Sequence, residues 1–94
     1  MQRIAVVGAG ISGLSHAYYL KKKFPQSHVT LFNGQKPGGN IATELHEGAT
    51  LEPGPDSYLD RSGLFNQLVG ELDIKDKLLF EDKKSAKRYI LKDG

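Results

Sequence analysis

Val6-Val7-Gly8-Ala9-Gly10-Ile11-Ser12-Gly13 stands near the start of the 94-residue sequence. Ahead of the glycines, Arg3 to Val7 is a short, mostly apolar run with an isoleucine and two valines, the pattern of a strand buried in a parallel sheet. Behind them, Ile11, Leu14, Ala17 and Tyr18 recur at helical spacing. The glycines therefore occupy a strand-to-helix turn, the context that turns G-x-G-x-x-G into a dinucleotide-binding fingerprint. In that fingerprint Gly8 permits the tight turn, Gly10 lets backbone approach a pyrophosphate, and Gly13 lets helix and strand pack closely. Free N–H groups and the positive end of the helix dipole then face the phosphates. The competing reading is a glycine-rich turn that binds nothing; strand before and helix after argue against it.

Working outward, the first helix is expected over about Ser12 to Lys23, since Pro25 disfavours helix at Phe24. Lys21, Lys22 and Lys23 complement the negative end of that helix and read as solvated. His28 to Phe32 reads as a second strand, so Arg3 to Phe32 forms one βαβ unit with a right-handed crossover. In this architecture an acidic residue about 20 positions past the last glycine accepts hydrogen bonds from the ribose. That count ends on Asn33, which offers one carbonyl acceptor and an amide donor in place of a carboxylate.

A Pro-Gly-Gly loop follows at Pro37, Gly38 and Gly39, with Lys36 beside it for a phosphate or ribose. The Gly-Gly pair reads either as a plain turn or as backbone that comes close to a ligand. Asn40 to His46 and Ala49 to Glu52 flank Glu47-Gly48 as the two arms of a short hairpin. Pro53-Gly54-Pro55-Asp56-Ser57 excludes helix and central strand. A second helix is expected over Asp60 to Leu72, from Leu64, Phe65, Leu68, Val69 and Leu72, with Asp60 or Ser62 as its N-cap. Asp73 to Lys84 reads as a short helix and a charged loop, Ala86 to Leu91 as a strand, and Asp93-Gly94 as half of a hairpin turn.

Composition narrows the function classes. A chain of this length makes one domain at most, read as a single segment 1–94, and buries about 60–65% of its unfolded surface. A net charge of +2, with no basic patch interleaved with aromatics, gives no case for nucleic acid. The absence of cysteine removes disulfides, thiolate metal sites and a cysteine nucleophile. Five apolar residues before Gly8 fall short of a signal-peptide core, and nothing approaches a membrane span. His16, His28 and His46 share no helical face, so no metal site is assigned; His16 reads as a helix-packing residue. Tyr18 and Tyr19 fall on different faces of the first helix, so at most one packs on the sheet.

Together, Gly8-Ala9-Gly10-Ile11-Ser12-Gly13-Leu14, Val29 to Phe32, Pro37-Gly38-Gly39 and Glu52-Pro53-Gly54-Pro55-Asp56-Ser57-Tyr58-Leu59 resemble the N-terminus of the flavoprotein amine oxidase superfamily. Gly54 to Ser57 followed by Leu59-Asp60-Arg61 is most similar to oxygen-dependent protoporphyrinogen oxidases, including the coproporphyrinogen-oxidising form of Gram-positive bacteria. Lys87 to Ile90 with Asp93-Gly94 is similar to that family's strand and turn. The resemblance implies non-covalent FAD. Gly8, Ala9, Gly10, Ile11, Ser12 and Gly13 would lie at its pyrophosphate and Gly38 and Gly39 along the pyrophosphate and ribityl chain. Gly54, Pro55, Asp56 and Ser57 would lie near the flavin ring. Asn33 takes the place of the usual ribose-binding glutamate and Lys36 that of the usual arginine, on a loop one residue shorter than the common spacing. Both departures fall on the adenosine side.

The fold expected is therefore α/β: an N-terminal βαβ unit of a Rossmann-like FAD-binding domain, then a β-hairpin and a helix, an incomplete fold from a longer oxidoreductase. The absence of cysteine fits a reducing cytosol, so a cytoplasmic location is expected, and the resemblance puts any membrane contact outside this segment. By the same resemblance the substrate would be a porphyrinogen and the electron acceptor oxygen, in haem biosynthesis, and the 94 residues alone are not expected to turn over. The protein supplies binding and orientation while the flavin does the chemistry, so no residue is assigned as acid or base. The uncovered sheet of a half-fold favours self-association. Two alternatives stay open: another flavin amine oxidase or carotenoid desaturase, and a truncated, non-catalytic nucleotide-binding module. Asp56-Ser57 reads equally well as a turn and helix-start cap.

Overall fold

In a computed structural model describing residues 2–80, 82, 84 and 90–92, β1 (Arg3–Val7) and β2 (His28–Phe32) pair in parallel, Ile4 opposite Val29 and Val6 opposite Leu31. The ladder is closed at both ends by backbone bonds beyond the strands, from His28 N–H to Gln2 C=O at 2.8 Å and from Gly8 N–H to Phe32 C=O at 2.7 Å. Between the strands runs α1 (Ile11–Lys23), one residue longer at its start than the spacing predicts. The βαβ unit is thus formed as expected, and with the hairpin below it gives an α/β, Rossmann-like fold.

α1 ends where Phe24-Pro25 requires, with the Phe24 N–H bonded to Leu20 C=O at 2.8 Å. Of the three lysines in its last turn, Lys21 does more than sit in solvent. Its Nζ donates to Pro25 C=O at 2.9 Å and to Ser27 C=O at 2.6 Å, tying the helix end to the start of β2. Ser27 is buried and its Oγ donates to Phe24 C=O, so this short connection satisfies its own polar groups.

Gly13 sets how closely α1 lies on the turn at Gly8, and the half-buried Ala17 and Leu20 continue its row along the helix. His16 falls beside that row and is exposed, which corrects its reading as a helix-packing residue. Tyr18 and Tyr19 are both half-buried, and their rings meet edge to face with centroids 5.0 Å apart.

The hairpin is β3 (Glu44–His46) with β4 (Ala49–Leu51), antiparallel, His46 opposite Ala49. Its turn residues Glu47 and Gly48 have φ of 49° and 80°, the two left-handed positions of a type I′ turn. Both arms are shorter than Asn40–His46 and Ala49–Glu52. Gly38 and Gly39 also take positive φ, 115° and 62°, so the chain is still turning at Asn40.

The chain divides into two compact units, the first running to Tyr58 and the second from Leu59. The second is built on α2 (Leu64–Glu71), with Leu68 and Val69 buried, followed by a 3-10 turn at Lys75–Lys77. α2 starts four residues after Asp60 because Gly63 is left-handed, φ 80°, and is itself the N-cap residue. Asp60 and Ser62 still cap it, from upstream: Asp60 accepts from Gly63 N–H at 3.0 Å and Asn66 N–H at 2.8 Å, and Ser62 Oγ from Leu64 N–H at 3.3 Å. The helix ends in a Schellman arrangement with Asp73 left-handed at φ 57° and the Ile74 N–H on Val69 C=O. The strand expected over Ala86–Leu91 lies mostly outside the described residues, and the turn at Asp93-Gly94 wholly so.

Candidate functional site: the glycine turn between β1 and α1

Each glycine of the fingerprint meets a different physical demand. Gly8 carries the chain out of β1 with φ 101°, a conformation that strains any residue with a Cβ. At Gly13 a Cβ would lie 1.8 Å from Gly8 C=O, so helix and turn touch backbone to backbone. Gly10 differs from both. Its φ of −79° is open to every residue, and a Cβ there would meet no protein atom within 4 Å. Nothing in the fold requires glycine at position 10; the residue leaves a clear approach to the start of α1.

That start is open in a second sense. The first N–H groups of an α-helix have no partner within it. At α1 no side chain caps them, and the first turn carries no acidic residue. Ser12 is exposed there and Ile11 is 42% exposed. Ser15, one turn on, spends its hydroxyl on Ile11 C=O at 2.6 Å, away from the helix start. N–H groups and helix dipole together make this end attractive to an anion.

Two later stretches are folded onto the turn. The Gly38 N–H donates to Ala9 C=O at 2.7 Å, and a Cβ on Gly39 would lie 3.1 Å from Gly10 Cα. Asn33, at the end of β2, accepts the Ala9 N–H on its Oδ1 at 3.3 Å and donates its amide to Gln35 C=O. Ala9 is 1% exposed, held from both sides. Gly8, Ala9, Gly10, Gly13, Asn33, Gly38 and Gly39 thus form one assembly.

The remaining predicted residues lie around it. Lys36 is exposed on the loop between Asn33 and Gly38. Gly54 is fixed by close packing, since a Cβ there would lie 1.8 Å from Asn40 C=O; Pro55, Asp56 and Ser57 are exposed, irregular chain. The Asn40 carbonyl is a contact that sequence reasoning missed, because backbone packing leaves no mark on the residue that offers its carbonyl. Thr43 and Glu52, joined by Oγ1 to both carboxylate oxygens at 2.9 Å, brace the hairpin nearby. Among the described residues no three His, Cys, Asp or Glu side chains gather as a metal site, and no helix is long and apolar enough to cross a membrane.

Residues 6–72 match the family described as NAD(P)-binding Rossmann-like domain. A coproporphyrinogen III oxidase from Staphylococcus aureus is 38% identical over 77 residues, 81% of this chain and 16% of its own length. A prenylcysteine oxidase from Mus musculus is 47% identical but over 53 residues, 55% of this chain and 10% of its own. Among solved structures, a protein from Exiguobacterium provisionally named protoporphyrinogen oxidase superposes with a TM-score of 0.72 at 38% identity, over 80% of this chain and 17% of that one. The chain spans between 10 and 17% of the length of these relatives.

Proposed function

The chain belongs to the NAD(P)-binding Rossmann-like domain family, and from that premise we propose that it is the FAD-binding segment of a flavoprotein oxidase that dehydrogenates a porphyrinogen to a porphyrin, with oxygen as acceptor, in haem biosynthesis. The observation that carries the nucleotide part is Gly10: a glycine the fold does not need, beside an uncapped helix start. The residues fit the group. Gly8 to Gly13 would hold the pyrophosphate by backbone N–H groups, Gly38 and Gly39 would follow it toward the ribityl chain, and Asn33 and Lys36 would stand at the adenosine end. Gly54 to Ser57 would run toward the flavin ring.

When bound, FAD would supply the redox chemistry, accepting hydride equivalents with oxygen as the final electron acceptor. The chain's own part is to bind and orient the nucleotide, because a glycine turn and a helix start offer donors and no group for proton transfer. The porphyrinogen reading is favoured over other flavin amine oxidases by coverage: similarity to the staphylococcal coproporphyrinogen oxidase spans 81% of the chain, against 55% for prenylcysteine oxidase. The same reading carries a cytoplasmic location, peripheral membrane contact through segments other than this one, and self-association of this chain through strands such as β1, where Val7 is 85% exposed.

The test begins with the 94-residue chain titrated with FAD and followed by quenching of flavin fluorescence, with ADP as competitor. Saturable binding that ADP displaces is the expected result; a flavin that stays fully fluorescent at millimolar protein overturns the nucleotide reading. For the activity, a protein containing this segment at the relatives' full length is assayed for porphyrin formation and oxygen uptake. Oxidation of an amine or a carotenoid precursor, with no porphyrin formed, would replace this reading by the alternative.

A further inference from the structure

Asn33 is bonded at both ends of its carboxamide. Its Oδ1 accepts the Ala9 N–H at 3.3 Å, and its Nδ2 donates to Gln35 C=O. One partner is a donor and the other an acceptor, so the orientation of the amide is fixed by chemistry. The two partners belong to different loops. Ala9 lies inside the glycine turn and is 1% exposed; Gln35 lies in the loop leaving β2. A few residues further on, Gly38 N–H reaches Ala9 C=O at 2.7 Å. The peptide groups flanking Ala9 are therefore held on both sides by the chain that follows β2.

We propose that Asn33 is a positioning residue that clamps the glycine turn to the loop leaving β2, and is not a ligand of the ribose. A carboxylate in its place could accept from Ala9 but has no proton for Gln35 C=O, and would set two acceptor oxygens against each other. An asparagine side chain is the short group that offers both functions here. With one lone pair and one amide hydrogen committed to backbone, Asn33 retains no paired acceptors for a ribose diol. Asn33 itself then adds no discrimination at the ribose, and its contribution to nucleotide affinity comes through the glycine turn it holds. This rests on the nucleotide-binding reading given above, but the clamp itself exists in the ligand-free chain.

The test uses the 94-residue chain with ADP and 2′-deoxy-ADP as probes, and amide hydrogen exchange as a readout that needs no ligand. The two nucleotides are expected to bind within about threefold of each other, less than the about fivefold that a lost hydrogen bond of ~1 kcal/mol gives. Asn33→Ala speeds exchange of the Ala9 amide about five- to tenfold and weakens both nucleotides equally. Asn33→Asp keeps the volume and also weakens ADP. A strong preference for ADP in the unaltered chain, or an Asn33→Asp variant that binds ADP more tightly, would make Asn33 a ribose ligand and overturn the proposal, and the first of these needs no variant to fold. If neither nucleotide binds, the function proposed above fails while the clamp is still decided. Slow Ala9 exchange that Asn33→Ala releases supports it, and exchange equal in the two chains overturns it.

Discussion

At the start of α2 the carboxylate of Asp60 accepts from Gly63 and Asn66 and the Ser62 hydroxyl accepts from Leu64, whereas at the start of α1 no side chain caps the helix. Among the described residues each unit has one α-helix, and the two begin in opposite ways. α2 has the ending a helix needs when packing is its only duty: its orphan donors are met by its own chain. α1 keeps its donors unmet, is entered through glycines, and is overlaid by a second glycine loop at Gly38-Gly39. The difference separates residues that serve the fold from residues that serve an approach to it. Gly13 belongs to the first kind and Gly10 to the second, though the sequence pattern treats them alike.

The largest effect is expected where the fold itself is struck. Gly13→Ala places a Cβ 1.8 Å from the Gly8 carbonyl, a backbone atom that cannot swing aside. α1 must lift from the turn, and the cost of such overpacking is about 3 kcal/mol. The urea midpoint should fall accordingly, and nucleotide binding should be lost with it. A midpoint equal to that of the parent chain would mean that helix and turn do not touch as described.

Gly10→Ala is the matching experiment on the other kind of glycine. Its Cβ meets no protein atom within 4 Å and its φ is −79°, so stability should stay within about 0.5 kcal/mol of the parent. FAD or ADP affinity, in contrast, should fall at least tenfold, ~1.4 kcal/mol, because the methyl group occupies the approach. Unchanged affinity would remove Gly10 from the site and break the comparison at its centre.

Asp60→Ala tests α2 from its own side. Removing the carboxylate that serves Gly63 and Asn66 should cost about 1 kcal/mol, read as faster amide exchange across Leu64–Glu71. Nucleotide affinity should not move. A loss of affinity on Asp60→Ala would tie the two helix starts together.

Much of this was legible in the sequence because local chemistry decides it. The βαβ unit follows from apolar periodicity and the Phe24-Pro25 stop, and the hairpin from Glu47-Gly48, whose residues accept positive φ. Long-range and backbone contacts leave no such mark. Nothing in the sequence marks Gly63 as left-handed, so apolar spacing alone extends α2 back to Asp60, whereas the helix begins at Leu64. His16 looked like a packing residue because helical spacing does not say which row meets the sheet. Asn33 showed its position but not its bonds: that it accepts from Ala9 and donates to Gln35 depends on two loops meeting. Pro55, Asp56 and Ser57 remain exposed chain whose role toward a flavin rests on resemblance alone.

The smallest effect is the most discriminating. Ser12→Asp gives α1 what α2 already has, a carboxylate at its start. Ser12 is exposed in the first turn and no acidic residue is there, so the new charge meets the helix dipole without a like-charged neighbour in that turn. Thermal unfolding should show a gain of about 0.5 kcal/mol. If the open donors of α1 exist for a phosphate, the same substitution must weaken nucleotide binding, since the carboxylate takes those donors and repels the ligand. Added salt should shrink both effects together, because exposed charges are screened over about 10 Å at 0.1 M. A chain made more stable by Ser12→Asp that still bound ADP as before would hold its anion elsewhere. The uncapped start of α1 would then be an ordinary weakness of a short helix, and the contrast with α2 would carry no functional meaning.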